Sequence, residues 1–508
     1  MTANSAAVFV DDPIEEGCGE QMAIATPTTR LTYRELRALT DRAGQGLRRL
    51  GVSVGHRVAL LLHDGPEFAA SFFAAIKLGA VAVPINTRLG AADAHAILVD
   101  SGARAVVAET ALGGALRASP GALGIEPLSF DDLVSDADAA PLAAEPVGLD
   151  AMAFWLYTSG TTGFPKAAVH SHRTLLACRH YGLDVLGMTA ADRVFATSKL
   201  FFAYALGNAL LIPLFARART YLHPGWPDPG SVGDVMRAHR PTVFFSVPTL
   251  YARLLRSDLP PDTFASVRCC VSAGERLPAE THRAWRERFG AEILDGIGAT
   301  ETVFMVLANR PERSRPGSSG VPVPGTQARI LDGEGREVVP GVQGVLWVRT
   351  PSRAIEYWGH AEHSRRAFVG EWFRTGDIYE RDADGYYHHC GREDDFFKVA
   401  GQWVSPASVE SMLLRHPDVA EAGVVGAEER GGLVKPFAFV VPRDASAPTA
   451  RLRTELLALL GEVLRPHERP RDVVIVAELP RTATGKLQRF KLRALVYGGS
   501  APGCDSRS

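Results

Sequence analysis

The string with the most chemical content is Tyr157-Thr158-Ser159-Gly160-Thr161-Thr162-Gly163-Phe164-Pro165-Lys166. Its small residues let backbone N–H groups close on an anion. Its threonines and serine add hydroxyl donors, and Lys166 adds a mobile positive charge. That combination suits the phosphates of a nucleotide. It is not a Walker A loop, because Ala167 rather than Ser or Thr follows the lysine, and it is not the GxGxxG turn of a dinucleotide site. The chain holds 48 Arg and only 7 Lys. Against that background, a lysine in a Gly/Thr loop marks a place where a compact ammonium is wanted rather than a planar guanidinium.

Four further strings carry weight only together: Ser272-Ala273-Gly274-Glu275, Gly296-Ile297-Gly298-Ala299-Thr300-Glu301, Arg374-Thr375-Gly376-Asp377 and Thr482-Ala483-Thr484-Gly485-Lys486. Each alone reads as a turn or an exposed loop. In combination they offer backbone and small residues for a base, Thr300 and Glu301 for phosphate and Mg²⁺, the Asp377 carboxylate for ribose hydroxyls, and a second loop lysine.

These residues need a scaffold, and the patterning supplies one. Arg57–Leu62 reads as a strand, Asp64 as the cap of a helix over Pro66–Leu78, and Ala80–Pro84 as the next strand. That βαβ unit implies a parallel sheet. Arg104–Ala108, Ala151–Leu156, Thr242–Val247 and Val267–Val271 are further strands, and a helix is expected over His172–Tyr181. Leu200–Ala216 is the most apolar stretch. Gly207, Asn208 and Pro213 interrupt it, so it reads as a buried helix and not a membrane span. His170 and His172 read as packing or helix-start residues, Trp226 and Trp285 as core. After Gly344 come short strands (Gly344–Arg349, Gly385–Cys390), then the charged segment Arg392-Glu393-Asp394-Asp395. A compact unit follows: a helix over Ser405–Arg415 capped by Ser405, strands at Val419–Val425, Phe437–Val441 and Val473–Val476, and a helix over Arg451–Leu464. The expected fold class is α/β: a large multi-subdomain N-terminal body with parallel sheets over 1–391, a small mobile C-terminal α/β lid over 392–497, and a disordered tail over 498–508.

Composition narrows the function. The 55 Lys and Arg against 57 Asp and Glu, a net charge of −2 over 508 residues, argue against a general nucleic-acid binder. Six cysteines without a CxxC pair are too few for a disulfide scaffold, and the acidic start lacks the pattern of a signal peptide. The expected compartment is the cytoplasm, with no membrane partner. The sequence is compatible with a homodimer.

With five motifs in order between Arg30 and Arg493, the chain resembles the adenylate-forming superfamily of acyl- and aryl-CoA ligases, peptide-synthetase adenylation domains and luciferases. Lys199-Leu200-Phe201-Phe202-Ala203-Tyr204, Val247-Pro248-Thr249-Leu250-Tyr251 and Asp295-Gly296-Ile297-Gly298 are similar to strings of benzoate-CoA ligases. The resemblance implies ATP, Mg²⁺ and coenzyme A, and a two-step reaction through an acyl-adenylate. It implies that Thr158, Ser159, Gly160, Thr161, Thr162, Gly163 and Lys166 hold the β- and γ-phosphates, that Glu301 ligates Mg²⁺, and that Thr300 meets the α-phosphate. It further implies that Ser272, Ala273, Gly274 and Glu275 line the adenine slot with Asp295, Gly296 and Ile297. Asp377 would bind ribose with Arg392 nearby, Asp394 would be the hinge, and Lys486 the adenylation lysine. Phe202, Ala203, Tyr204, Gly298, Phe304 and Met305 would form the acyl pocket, whose apolar lining favours an aromatic or bulky hydrophobic acid; Phe304 and Met305 are also what plain core packing would place there.

The sequence departs from the family pattern at Ala167, where a methyl threatens to crowd the exit of the loop, and at Ile297, an aliphatic in place of an aromatic. Val345, Thr350 and Glu356 also depart and read as structural positions remote from the chemistry. Three activities are consistent with these residues. One is a CoA ligase. Another is a stand-alone adenylation enzyme that loads a carrier-protein thiol. The third is a homologue performing one half-reaction or none. The first two differ in whether basic residues await the 3′-phosphate of CoA, for which Arg465–Arg471 is an available segment.

Overall fold

The computed structural model describes residues 4–118, 124–136, 140–158, 165–400, 402–428, 433–444, 448–481 and 487–498. The tail expected over 498–508 therefore lies, apart from the backbone of Gly498, outside the described residues. The chain divides into two compact units, Met1–Ala328 with Trp347–Arg374, and Arg329–Leu346 with Thr375–Ser508. Among the described residues no helix is long and apolar enough to cross a membrane.

The first unit is built on two sheets, and the α/β expectation holds. In the five-stranded sheet the order is Ala105–Ala108, Arg57–Leu61, Val81–Pro84, Met152–Thr158, Lys166–Ser171. The first four run parallel, as the βαβ reading requires. The fifth is antiparallel to its neighbour, with Thr158 opposite Lys166 and Tyr157 opposite Ala167. Thr158 and Lys166 therefore face each other at the ends of two antiparallel strands. The helices His172–Leu176 and Cys178–Gly182 begin only after this additional strand.

The nine-stranded sheet has a parallel centre: Ile293–Gly298, Cys269–Ser272, Val243–Ser246, Arg193–Ala196, Arg219–Tyr221 and Met22–Ala25. Met305–Ala308 with Val321–Pro322 closes one edge antiparallel, and Arg30–Thr32 the other. Parallel strands covered on both faces read as unbroken apolar runs, as Val243–Ser246 and Cys269–Ser272 do.

Leu200–Ala216 is buried and helical, with an irregularity. Ala203–Ala205 is α, Leu206–Leu211 is π, and Ile212–Phe215 is α again. Pro213 removes a backbone donor from this helix, and the side-chain amide of Asn208 donates to the carbonyl of Tyr204 at 2.8 Å.

Asp64 does not cap the helix Pro66–Lys77. Gly65 is the N-cap and makes no side-chain bond. The buried Asp64 carboxylate instead accepts the Leu200 N–H at 3.0 Å and faces the Lys199 ammonium at 3.6 Å. A carboxylate taken out of water needs a cation more than a helix end needs a cap. The pair fixes the start of the Lys199–Tyr204 string.

In the second unit, Val419–Glu428 pairs antiparallel with Val434–Pro442, which runs parallel to Asp472–Ile475. The helices Pro406–Leu413 and Thr449–Val463 cover this sheet through Val409, Leu413, Leu452, Leu456 and Leu460. Ser405 caps the first helix as expected, accepting the Ser408 N–H.

Candidate active site

Strand alternation decides what Lys166 does. Ala167 and Val169 face one way, into a cluster with Val81, Val83 and Trp155. The methyl at position 167 packs in that cluster. Lys166 lies on the opposite face, its ammonium 5.2 Å from the centre of the Tyr357 ring. Ser159, Gly160, Thr161, Thr162 and Gly163 lie outside the described residues; Thr158 is half-buried at the end of its strand.

A strap from Ala354 to Trp358 runs beside this strand. Ile355 N–H donates to Val169 O at 2.8 Å, Val169 N–H to Glu356 O at 2.9 Å, and Trp358 N–H to Ala167 O at 3.0 Å. Glu356 lies in this strap, where its backbone carbonyl accepts the Val169 N–H. From the same strap, Ala354 N–H donates to the Glu301 carbonyl at 2.7 Å, and the Tyr357 phenol donates to Glu301 Oε1 at 2.7 Å. His170 Nε2 reaches the Thr300 carbonyl at 2.9 Å. Lys166 and the adjacent pair Thr300-Glu301, far apart in sequence, are thus brought together by one strand and one strap. Tyr357 was not among the expected site residues. Its only sequence signal is an aromatic pair, Tyr357-Trp358, amid polar residues.

Glu301 fits a hard divalent ion. One oxygen takes the phenol, and the carboxylate retains further lone pairs. Mg²⁺ is typically held by one or two carboxylates together with phosphate oxygens and water.

At the ends of the parallel strands, Ser272 and Asp295 are register partners. Ser272 Oγ and Asp295 Oδ1 are both buried, and burial pushes the Asp295 carboxyl well above the usual range. A Cβ at Gly296 would lie 2.8 Å from Leu307 O, and one at Gly298 2.7 Å from Phe304 O, so the neighbouring strand requires both glycines. Gly274 has φ +89°, and Thr249 Oγ1 donates to Glu275 Oε2 at 2.6 Å. Ala273 is buried, and Ile297 is half-buried opposite Leu307.

Ala203, Phe304 and Met305 are buried in one apolar cluster, with Tyr204 packed against it. Tyr204 Oη lies 3.1 Å from both Ser246 O and Val271 O, at the ends of two central strands. Phe202 is half-buried against Phe201. Gly207 faces the Phe304 ring, where a Cβ would come within 3.1 Å.

Residues 13–358 match the family model described as AMP-binding enzyme, and residues 408–486 match its C-terminal domain. The chain belongs to the AMP-binding enzyme family. It is an adenylate-forming acid–thiol ligase, close to the benzoate-CoA ligases. It is 39% identical over 510 residues to a 3-hydroxybenzoate–CoA ligase of Aromatoleum sp. (strain CIB), covering 98% of this chain and 97% of that protein. It is 41% identical to a benzoate–CoA ligase of Thauera aromatica, covering 97% and 96%. Among solved structures, the anthranilate CoA ligase AuaEII in complex with anthranoyl-AMP superposes with a TM-score of 0.91 at 37% identity, covering 98% of each chain.

In the second unit of this AMP-binding enzyme, Asp377 stands opposite Arg392 on paired strands. Its carboxylate meets Arg392 Nη1 at 3.2 Å and His389 Nε2 at 3.4 Å, and Arg392 also donates to Thr375 O at 3.1 Å. Asp394 is exposed in the short turn Glu393–Asp395, while the adjacent Asp395 is anchored by Arg489 at 3.0 Å. A cleft of about 370 Å³ is lined by Lys435, His467, Arg469 and Arg471 with Val399 and three prolines. Lys486 lies outside the described residues.

The five described cysteines are free thiols. His170 and His172 are packing residues as expected. His170 stacks on Phe154 with ring centres 4.8 Å apart, and His172 meets Ser5. Trp285 is fully buried, whereas Trp226 is half-buried with the Arg88 guanidinium 3.8 Å from its ring centre.

Proposed function

We propose that the protein converts benzoic acid, or a benzoic acid bearing a hydroxy or amino group, to its CoA thioester. The substrate carboxylate attacks the α-phosphorus of ATP, and the bond to pyrophosphate breaks, giving an acyl-adenylate. The CoA thiol then attacks the acyl carbon, and AMP leaves. The observation that carries the reading is the convergence of Lys166, Thr300 and Glu301 on one strap, in a unit whose core also gathers Ala203, Tyr204, Phe304 and Met305.

A carboxylate and a triphosphate repel each other, so positive charge must stand between them. Lys166 and the residues 158–163 hold the terminal phosphates, and Lys486 supplies charge where it develops in adenylation. Glu301 holds Mg²⁺, which when bound neutralises phosphate oxygens. Ser272–Glu275 and Asp295–Ile297 take the base, and Asp377 with Arg392 the ribose. Phe202, Ala203, Tyr204, Gly298, Phe304 and Met305 surround the aromatic ring. Residues 392–497 act as a lid hinged at Asp394, so that one site serves two chemistries in turn. The basic cleft at Lys435 and Arg469 suits the phosphates of CoA and favours it over a carrier-protein thiol. The cytoplasm, which supplies ATP and CoA, is the compartment that goes with this reading.

ATP–pyrophosphate exchange over a panel of carboxylic acids, followed by CoA and mass detection of the thioester, tests this. Exchange with benzoates and a thioester with CoA are expected. Exchange without a CoA thioester would point to the carrier-protein reading, and exchange with short aliphatic acids alone would overturn the substrate class.

A further inference from the structure

We infer that Tyr357 is a positioning residue for adenylation: its phenol anchors Glu301, its ring seats Lys166, and its bulk keeps these opposite charges from closing on one another. The inference rests on the roles proposed above for Glu301 and Lys166.

The backbone around Tyr357 is secured without its side chain. Its N–H donates to Ser364 Oγ at 2.9 Å, and its carbonyl accepts from Ser364 Oγ at 3.2 Å and from His360 N–H at 3.1 Å. The ring packs on Phe368 and between Ala168 and Ala354, a place that phenylalanine would fill equally well. The hydroxyl is not required for packing, yet it makes the 2.7 Å bond to Glu301.

The backbone of Glu301 is likewise fixed, by Ala354 on its own carbonyl and by His170 on the carbonyl of Thr300. What remains free is the rotamer of its carboxylate, and the phenol removes that freedom. On the other side, an ammonium 5.2 Å from a ring centre is held by the negative face of the π system. No salt bridge joins Lys166 to Glu301 among the described residues. Were the two to pair directly, each would neutralise the group that the other needs to offer to MgATP. An aromatic spacer with a hydroxyl at its far end holds both charges in reach of a ligand and apart from each other.

The test uses the full-length chain, with Tyr357→Phe, Tyr357→Leu, Glu301→Gln and the double variant Y357F/E301Q. Benzoate-dependent ATP–pyrophosphate exchange is titrated with Mg²⁺. MgATP affinity is measured by calorimetry, and thioester formation is followed from synthetic benzoyl-adenylate and CoA. Tyr357→Phe should slow exchange by about tenfold or more and raise the Mg²⁺ needed for half-maximal rate, because a hydrogen bond to a charged group is lost. Thioester formation should stay within about twofold of the unmodified enzyme. Tyr357→Leu should be worse in exchange, and Tyr357→Phe should add nothing in the Glu301→Gln background, since it acts through that carboxylate. Unchanged exchange and Mg²⁺ dependence in Tyr357→Phe, with the unmodified enzyme active, would overturn the inference alone. So would a parallel loss of both half-reactions with a lower melting temperature. No exchange by the unmodified enzyme with any aromatic acid would overturn the underlying reading itself.

Discussion

His170 donates through Nε2 to the carbonyl of Thr300 at 2.9 Å, across 130 positions of the chain. The acceptor is a carbonyl, so Nε2 carries the proton. Burial pushes the ring down to about 3, and it is neutral at physiological pH. The strand bearing Lys166 and the turn bearing Glu301 are thus tied by an uncharged bond.

That neutrality predicts acid sensitivity. The folded value lies below the ordinary 6.5, so the native state binds fewer protons than the unfolded chain. The stability is fully present above 6.5 and is lost as pH falls from there toward 3. His172, pushed down to about 4 by burial, acts in the same direction. Urea midpoints should fall between neutral pH and about pH 5, and His170→Phe should flatten that slope. At neutral pH the variant should cost about 1–3 kcal/mol, because the Thr300 carbonyl loses its donor. A slope in His170→Phe equal to that of the unmodified protein would assign the acid sensitivity elsewhere.

The pair Asp64 and Lys199 predicts a different stability effect. Lys199 is nearly inaccessible, 3.6 Å from Asp64, and donates to the carbonyls of His223 and Gly225. Lys199→Met leaves a buried carboxylate without its cation and should destabilise by about 3–5 kcal/mol. Adding Asp64→Asn should recover part of that loss, and chemical denaturation of the four proteins of the cycle measures the coupling. Additive effects would show that the two do not act as a pair.

The same pair shows where sequence reading stops. Asp64 before Gly65-Pro66 carries the local mark of a helix cap, and nothing near it announces a lysine far along the chain. The strand Lys166–Ser171 escaped notice for another reason. It is covered on both faces, so it lacks alternation, and Ala167-Ala168 has little strand preference. The βαβ start, the parallel strands and the small C-terminal unit were legible because continuous apolar runs and caps are local signals. Lys166, Thr300 and Glu301 were legible because their strings are chemically unusual. Tyr357 was not, since its meaning lies in two contacts distant in sequence.

Phe304 predicts a substrate effect. Only 3% exposed, it packs against Gly207 in the cluster that holds Ala203 and Met305. An imidazole there brings a donor and an acceptor into an apolar lining. Phe304→His should shift kcat/KM from benzoate toward acids with polar ring substituents by about tenfold, read as the ratio between two acids. A constant ratio with a lowered melting temperature would make Phe304 a core residue only.

Lys486 closes the set. It sits in Thr482-Ala483-Thr484-Gly485-Lys486, one of seven lysines in a chain that otherwise uses arginine. Adenylation gathers negative charge on the phosphate oxygens as the carboxylate arrives, and an ammonium acts on that charge. Thioester formation from a preformed adenylate places no new charge on a triphosphate and does not need it. Lys486→Ala should therefore lower benzoate-dependent pyrophosphate exchange by several orders of magnitude while leaving the conversion of supplied benzoyl-adenylate and CoA largely intact. Rapid-quench measurement of both half-reactions separates the cases, and an equal loss in both would remove Lys486 from the role assigned to it.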